Sequence, residues 1–214
     1  MKILIVPDVH GRDFWKEPCE KWEGKIIFLG DYHDPYPFQV SVKKSLENLE
    51  ELVRWYESKE DKPIMLFGNH DLNYLHTVNS DRFDYYHATK VKNLISKLNP
   101  VLLHIHDRYL FSHSGILPQW MTFNNIEFYQ LENIKYSDKS LYDISPNRGG
   151  YSEAGSPVWG DVMEYNFSEK LPNYYQIFGH TQLKDKPIIS YDYACLDVRQ
   201  CFILDTETGE ISEY

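Results

Sequence analysis

The chain has 214 residues, the length of one ordinary domain, and its 42% hydrophobic and 15% aromatic content supplies a core, which excludes a disordered chain. A formal net charge of −10 argues against a nucleic-acid backbone or an anionic membrane as the main partner; a small phosphorylated substrate stays open, because bound metal ions reverse the local sign. Three cysteines (Cys19, Cys195, Cys201) without C-x-x-C spacing or a signal peptide fit a reducing cytosol, and "ILIV" near the start is too short to span a bilayer, so the expectation is a cytoplasmic protein.

Short apolar runs alternate with amphipathic stretches. "KILIV" and "KIIFLG" read as buried strands. "SVKKSLENLEELVRWYESK" reads as a helix, with Val42, Leu46, Leu49, Val53 and Tyr56 on one face. "PIMLFG" is a third strand, and the strand–helix–strand order points to a βαβ unit with a parallel sheet. "KVKNLISKL" reads as a helix stopped by Pro100, and "VLLHIHD" and "RYLFSHSG" as a strand pair. From about 116 to 173 the periodicity is weak, and this stretch reads as an insertion of loops and short helices in a single domain spanning 1–214. "YQIFGH", "ACLDV" and "CFILD" return to strands, and "DTETGEI" is a hairpin turn carrying Gly209.

Five apolar runs are each followed by metal-ligand residue types: Asp8-x-His10, then Gly30-Asp31-Tyr32-His33-Asp34, Gly68-Asn69-His70-Asp71, Ser112-His113-Ser114-Gly115 and Gly179-His180-Thr181. The carboxyl ends of strands in a parallel α/β sheet line one edge where ligands bind, so segments distant in sequence can converge there. Carboxylates, imidazoles and an amide oxygen suit Mn²⁺, Fe or Zn²⁺, and the absence of cysteine argues against a structural zinc. An isolated D-x-H is ordinarily a capped strand end; the four later blocks are what reverse that reading. His33 reads as a loop or supporting residue, Asp71 as support for the loop after His70, and His104 and His106 as structural.

These blocks, in this order from Asp8 to His180, resemble the calcineurin-like metallophosphoesterase superfamily, nearest its branch of serine/threonine protein phosphatases and symmetrical diadenosine tetraphosphate hydrolases. The resemblance implies a four-layer α/β/β/α sandwich and a two-metal phosphoesterase. Asp8 and His10 would hold one ion, Asn69, His113 and His180 the other, and Asp31 would bridge them. The ions would most simply be Mn²⁺, with Fe or Zn²⁺ open. A metal-bridging hydroxide would attack phosphorus in line, with His70 as general acid or phosphate donor, oriented by Asp34.

Two departures narrow the branch. The last block reads "GHTQ", so Gln182 stands where many phosphodiesterases of the superfamily have a second histidine; it can serve as an additional ligand or support. Pro35 stands where the protein phosphatases carry a phosphate-binding arginine, leaving Arg12, Arg148 and Arg199 as candidates for that contact. The expected activity is hydrolysis of a phosphate monoester or phosphoanhydride in a phosphorylated small molecule, a nucleotide or a phosphoprotein. The alternatives are a phosphodiesterase or nuclease on the same site, and a non-catalytic metal-binding scaffold.

Overall fold

The computed structural model describes residues 1–76 and 81–214. The chain forms two compact units, Met1–Pro100 with Arg199–Tyr214, and Val101–Val198.

The first unit is built on β1 (Lys2–Val6), β2 (Lys25–Phe28), β3 (Ile64–Met65), β9 (Phe202–Asp205) and β10 (Ile211–Glu213), in the order β10-β9-β1-β2-β3. β1, β2 and β3 pair in parallel, as the βαβ reading requires, whereas β9 and β10 are antiparallel, so the sheet is mixed rather than parallel throughout. The turn between β9 and β10 closes with Gly209 in a left-handed conformation (φ 79°). Ile3 to Val6 are fully buried, which explains their unbroken apolar run.

The helices of this unit are α1 (Lys16–Lys21), α2 (Val42–Ser58), α3 (Asn69–His76) and α4 (Ala88–Lys97). α2 is capped by Ser41, whose hydroxyl accepts from the Lys44 amide, and it buries Leu46, Leu49, Leu52, Val53 and Tyr56. Val42 departs from the predicted stripe: it lies in the first turn, 44% exposed. Ser45 and Asn48 are buried in this helix as well, Asn48 accepting from the Trp15 indole at 3.2 Å. The core joins these side chains to Leu4, Val6, Phe28 and Met65 of the strands and to Val91 and Ile95 of α4.

The second unit holds β4 (Leu103–His106), β5 (Tyr109–Ser112), β6 (Tyr175–Phe178), β7 (Ile188–Ile189) and β8 (Tyr193–Cys195), ordered β4-β5-β6-β8-β7. β4 and β5 form the expected antiparallel pair, and β5, β6 and β8 run parallel. Between β5 and β6 lie α5 (Pro118–Phe123), three short 3₁₀ helices and α6 (Val162–Phe167). Their core includes Trp120, Leu131 and Tyr165 against Leu110 and Phe178. The Trp120 indole donates to the Ser140 carbonyl and to Asp143, so this aromatic is structural. Two five-stranded sheets with helices are the elements of the metallo-dependent phosphatase sandwich that the resemblance implies. No helix among the described residues is long and apolar enough to cross a membrane.

Candidate metal centre

The loops leaving β1 and β2 run side by side: the His10 amide donates to the Asp31 carbonyl at 2.7 Å and the Gly11 amide to the Tyr32 carbonyl at 3.1 Å. Asp8, His10 and Asp31 are 1–2% exposed. His10, Asp31 and Asp34 all adopt positive φ (45°, 54° and 56°), a conformation that is costly for a non-glycine residue and that collects at functional sites. Gly30, at φ 110°, is where only glycine fits: a Cβ there would stand 2.5 Å from the Gly68 amide nitrogen, so the missing side chain lets the exits of β2 and β3 touch.

The environment of His10 fixes its tautomer. Nδ1 lies 3.1 Å from the His33 carbonyl and 3.0 Å from the Asp34 carbonyl, and since a carbonyl can only accept, Nδ1 carries the proton. Burial, opposed by the Asp31 charge, holds the imidazole well below its ordinary pKa, so the ring is neutral and Nε2 is a bare lone pair. That lone pair faces Asp31 Oδ2 at 3.4 Å and Asp8 Oδ2 at 4.0 Å. Three electron-rich atoms converging in a buried place repel one another, and a divalent cation turns that repulsion into ligation. A histidine whose far nitrogen donates to backbone carbonyls is the usual arrangement behind a metal-ligating imidazole. The donor set of this unit therefore fits a divalent ion.

Asp71 welds this arrangement. Its carboxylate accepts from the amides of Asp31 (2.6 Å), Tyr32 (3.1 Å) and Gly68 (2.9 Å). It therefore joins the β2 and β3 loops, a wider task than the local support expected from sequence. Asn69 and His70 were expected at a strand end; they instead form the first turn of α3, four and five residues past β3. The His70 amide donates to Asp31 Oδ1 at 3.0 Å, while Oδ2 faces His10.

Nδ1 of His70 lies 2.8 Å from Asp34 Oδ2. The Tyr74 hydroxyl donates to the other Asp34 oxygen. The remaining His70 nitrogen, Nε2, accepts from Arg82 at 2.8 Å. Sequence reasoning missed Arg82, which lies in no motif. His33 is buried and held by the Ser45 hydroxyl at 2.8 Å and Asp84 at 3.3 Å, and its carbonyl faces His10 Nδ1. Arg12 folds back on its own loop, donating to the Val9 and Asp8 carbonyls at 3.0 Å, and Arg199 is half-buried with φ 66°.

In the second unit His113 follows β5 and His180 lies two residues past β6, also at positive φ (62°). The Gly179 amide donates to the His113 carbonyl at 2.8 Å and ties the two strand ends together. His113 Nε2 lies 3.0 Å from His180 Nδ1, so the two rings present nitrogens to one point. Arg148 holds this loop: Nε pairs with Asp161 at 2.8 Å, while Nη2 donates to the His180 carbonyl and the Thr181 hydroxyl, each at 3.0 Å. Gln182 is exposed.

The sequence matches the calcineurin-like phosphoesterase family over residues 1–183. Among solved structures, the chain is similar to a cold-active protein-tyrosine phosphatase of a psychrophilic Shewanella species, with TM-score 0.65 and 16% identity over 99% of this chain and 80% of that one. It is also similar to a protein serine/threonine phosphatase from Saccharomyces cerevisiae, with TM-score 0.55 and 14% identity over 100% of this chain and 80% of that one. At these identities the likeness is one of fold. None of the curated proteins matches the chain in sequence. The family match across most of the chain, with a buried carboxylate–imidazole set suited to a divalent ion, makes the chain a member of the calcineurin-like phosphoesterases, metal-dependent hydrolases of phosphoric ester bonds.

Proposed function

We propose that the protein is a two-metal phosphoesterase that hydrolyses a phosphate monoester or phosphoanhydride. The observation that carries this reading is His10: a neutral ring, its proton spent on two carbonyls, aims a lone pair at two carboxylates. By the family pattern, Asp8, His10 and Asp31 would hold one ion, and Asn69, His113 and His180 would serve a second. Carboxylate, imidazole and amide oxygen without thiolate favour Mn²⁺, with Fe or Zn²⁺ as the other choices. When bound, the ions supply positive charge against the phosphoryl oxygens and a water of lowered pKa.

The chain's own residues do the rest. The His33 and Asp34 carbonyls keep the His10 lone pair aimed inward. Asp34 holds the Nδ1 proton of His70, which leaves Nε2 as the nitrogen that meets the substrate. Arg148 fixes the loop that carries His180. Residues 116–173 shape substrate choice within one catalytic domain. The substrate is a phosphorylated small molecule, a nucleotide or a phosphoprotein. The three cysteines, all buried and none in a disulfide, support a cytoplasmic place. The test is hydrolysis of p-nitrophenyl phosphate against bis-p-nitrophenyl phosphate by Mn²⁺-loaded protein. Preference for the monoester supports the reading; preference for the diester moves the protein to the phosphodiesterase class, and no turnover of either ester or of diadenosine tetraphosphate overturns catalysis.

A further inference from the structure

Arg82 stands where nothing in the motif pattern places an arginine. Its Nη2 donates to His70 Nε2 at 2.8 Å, its Nη1 donates to the Asp34 carbonyl, and its guanidinium lies 4.0 Å from the centre of the Tyr36 ring. The residues that follow it are anchored. Phe83 stacks on Tyr74 with ring centres 4.3 Å apart, and Asp84 accepts from the His87 amide at 3.1 Å while its own amide donates to the Tyr74 hydroxyl at 2.8 Å. Arg82 itself adopts a left-handed conformation (φ 67°), which costs energy and is sustained by these anchors. A guanidinium from distant sequence is thus brought against Asp34-Pro35-Tyr36, the stretch that lacks an arginine of its own.

The partners explain what Arg82 can do. An arginine cannot accept, so His70 Nε2 is the acceptor and Nδ1 holds the proton toward Asp34. The guanidinium covers the one His70 nitrogen that can face a substrate, and its partners there are neutral acceptors. A phosphoryl group is a better partner for a planar two-pronged donor than an imidazole and a carbonyl are.

On the reading of the protein as a phosphoesterase, we infer that Arg82 is its phosphate clamp and favours monoesters over diesters. On binding, its fork passes from His70 Nε2 to two non-bridging phosphoryl oxygens, with the Tyr36 ring holding its plane. His70 Nε2 is thereby uncovered on the side of the bound phosphoryl group. A monoester offers three non-bridging oxygens, enough for the metal ions and both prongs; a diester offers two, and the clamp competes with the metals for them.

The test uses Mn²⁺-loaded wild-type, Arg82→Met and Arg82→Lys proteins, with inorganic phosphate titrated by calorimetry and both p-nitrophenyl esters assayed. Arg82→Met is expected to weaken phosphate binding and monoester kcat/KM on the order of 10- to 100-fold, with a much smaller loss on the diester and unchanged metal content. Arg82→Lys keeps the charge but not the fork, so it is expected to recover part of the phosphate affinity and little of the monoester preference. Phosphate bound by Arg82→Met as tightly as by wild type overturns the clamp. Equal loss on both esters in Arg82→Lys, which retains charge and anchoring, also overturns it. If wild type binds phosphate through Arg82 yet turns over no ester, the clamp stands and the phosphoesterase reading falls.

Discussion

Asp71 Oδ2 accepts the backbone amide of Asp31 at 2.6 Å, so one buried carboxylate fixes the backbone that carries another. The same side chain takes the Tyr32 and Gly68 amides, and three amides in two chain segments lose a common anchor if it is removed. Asp71→Ala leaves those buried donors unsatisfied, at a cost of about 3 kcal/mol. For a chain of this length that lowers Tm by about 6–12 °C, measured by thermal melting in chelator, and metal affinity falls with it because Asp31 loosens.

His70 touches Asp34 and Arg82 through its ring and Asp31 only through its backbone amide. His70→Ala therefore keeps metal content at the wild-type level and lowers turnover by about 10²- to 10⁴-fold, the range for a side chain that assists proton transfer in the transition state. Elemental analysis beside the assay checks this; loss of the ions in the variant would make His70 a ligand instead.

Arg148 was a candidate substrate contact from sequence, but its guanidinium is spent on Asp161, the His180 carbonyl and Thr181. Arg148→Met is expected to weaken metal binding about 10- to 100-fold, as supporting residues around ligands do, and turnover should return at high Mn²⁺. A raised KM that excess Mn²⁺ leaves untouched would restore Arg148 as a substrate residue.

The strands that carry the site were legible because their burial is extreme. Ile3 to Val6 and Ile26 to Phe28 are apolar throughout, and a fully buried parallel strand writes itself as an unbroken run. The stripe of α2 was equally plain from Leu46 onward, and failed at Val42 because the first turn of that helix is open to solvent. Asn69 and His70 were assigned to a strand end because "PIMLFG" is apolar well past Met65, where β3 stops, and no capping residue announces α3. The candidate ligands were visible as residue types after apolar runs; the left-handed backbones of His10, Asp31 and His180 and the carbonyls that orient His10 were not, since such geometry leaves no trace in spacing. Arg82 was hidden because its partners, His70 and Asp34, are 12 and 48 positions away along the chain.

The most direct test of the central claim is the metal content of the purified, Mn²⁺-equilibrated chain beside Asp31→Asn, each assayed for p-nitrophenyl phosphate hydrolysis. The account predicts two divalent ions per wild-type chain, fewer than two in Asp31→Asn, and loss of hydrolysis together with the missing ion. Less than one ion per wild-type chain, or full activity in Asp31→Asn, would contradict it.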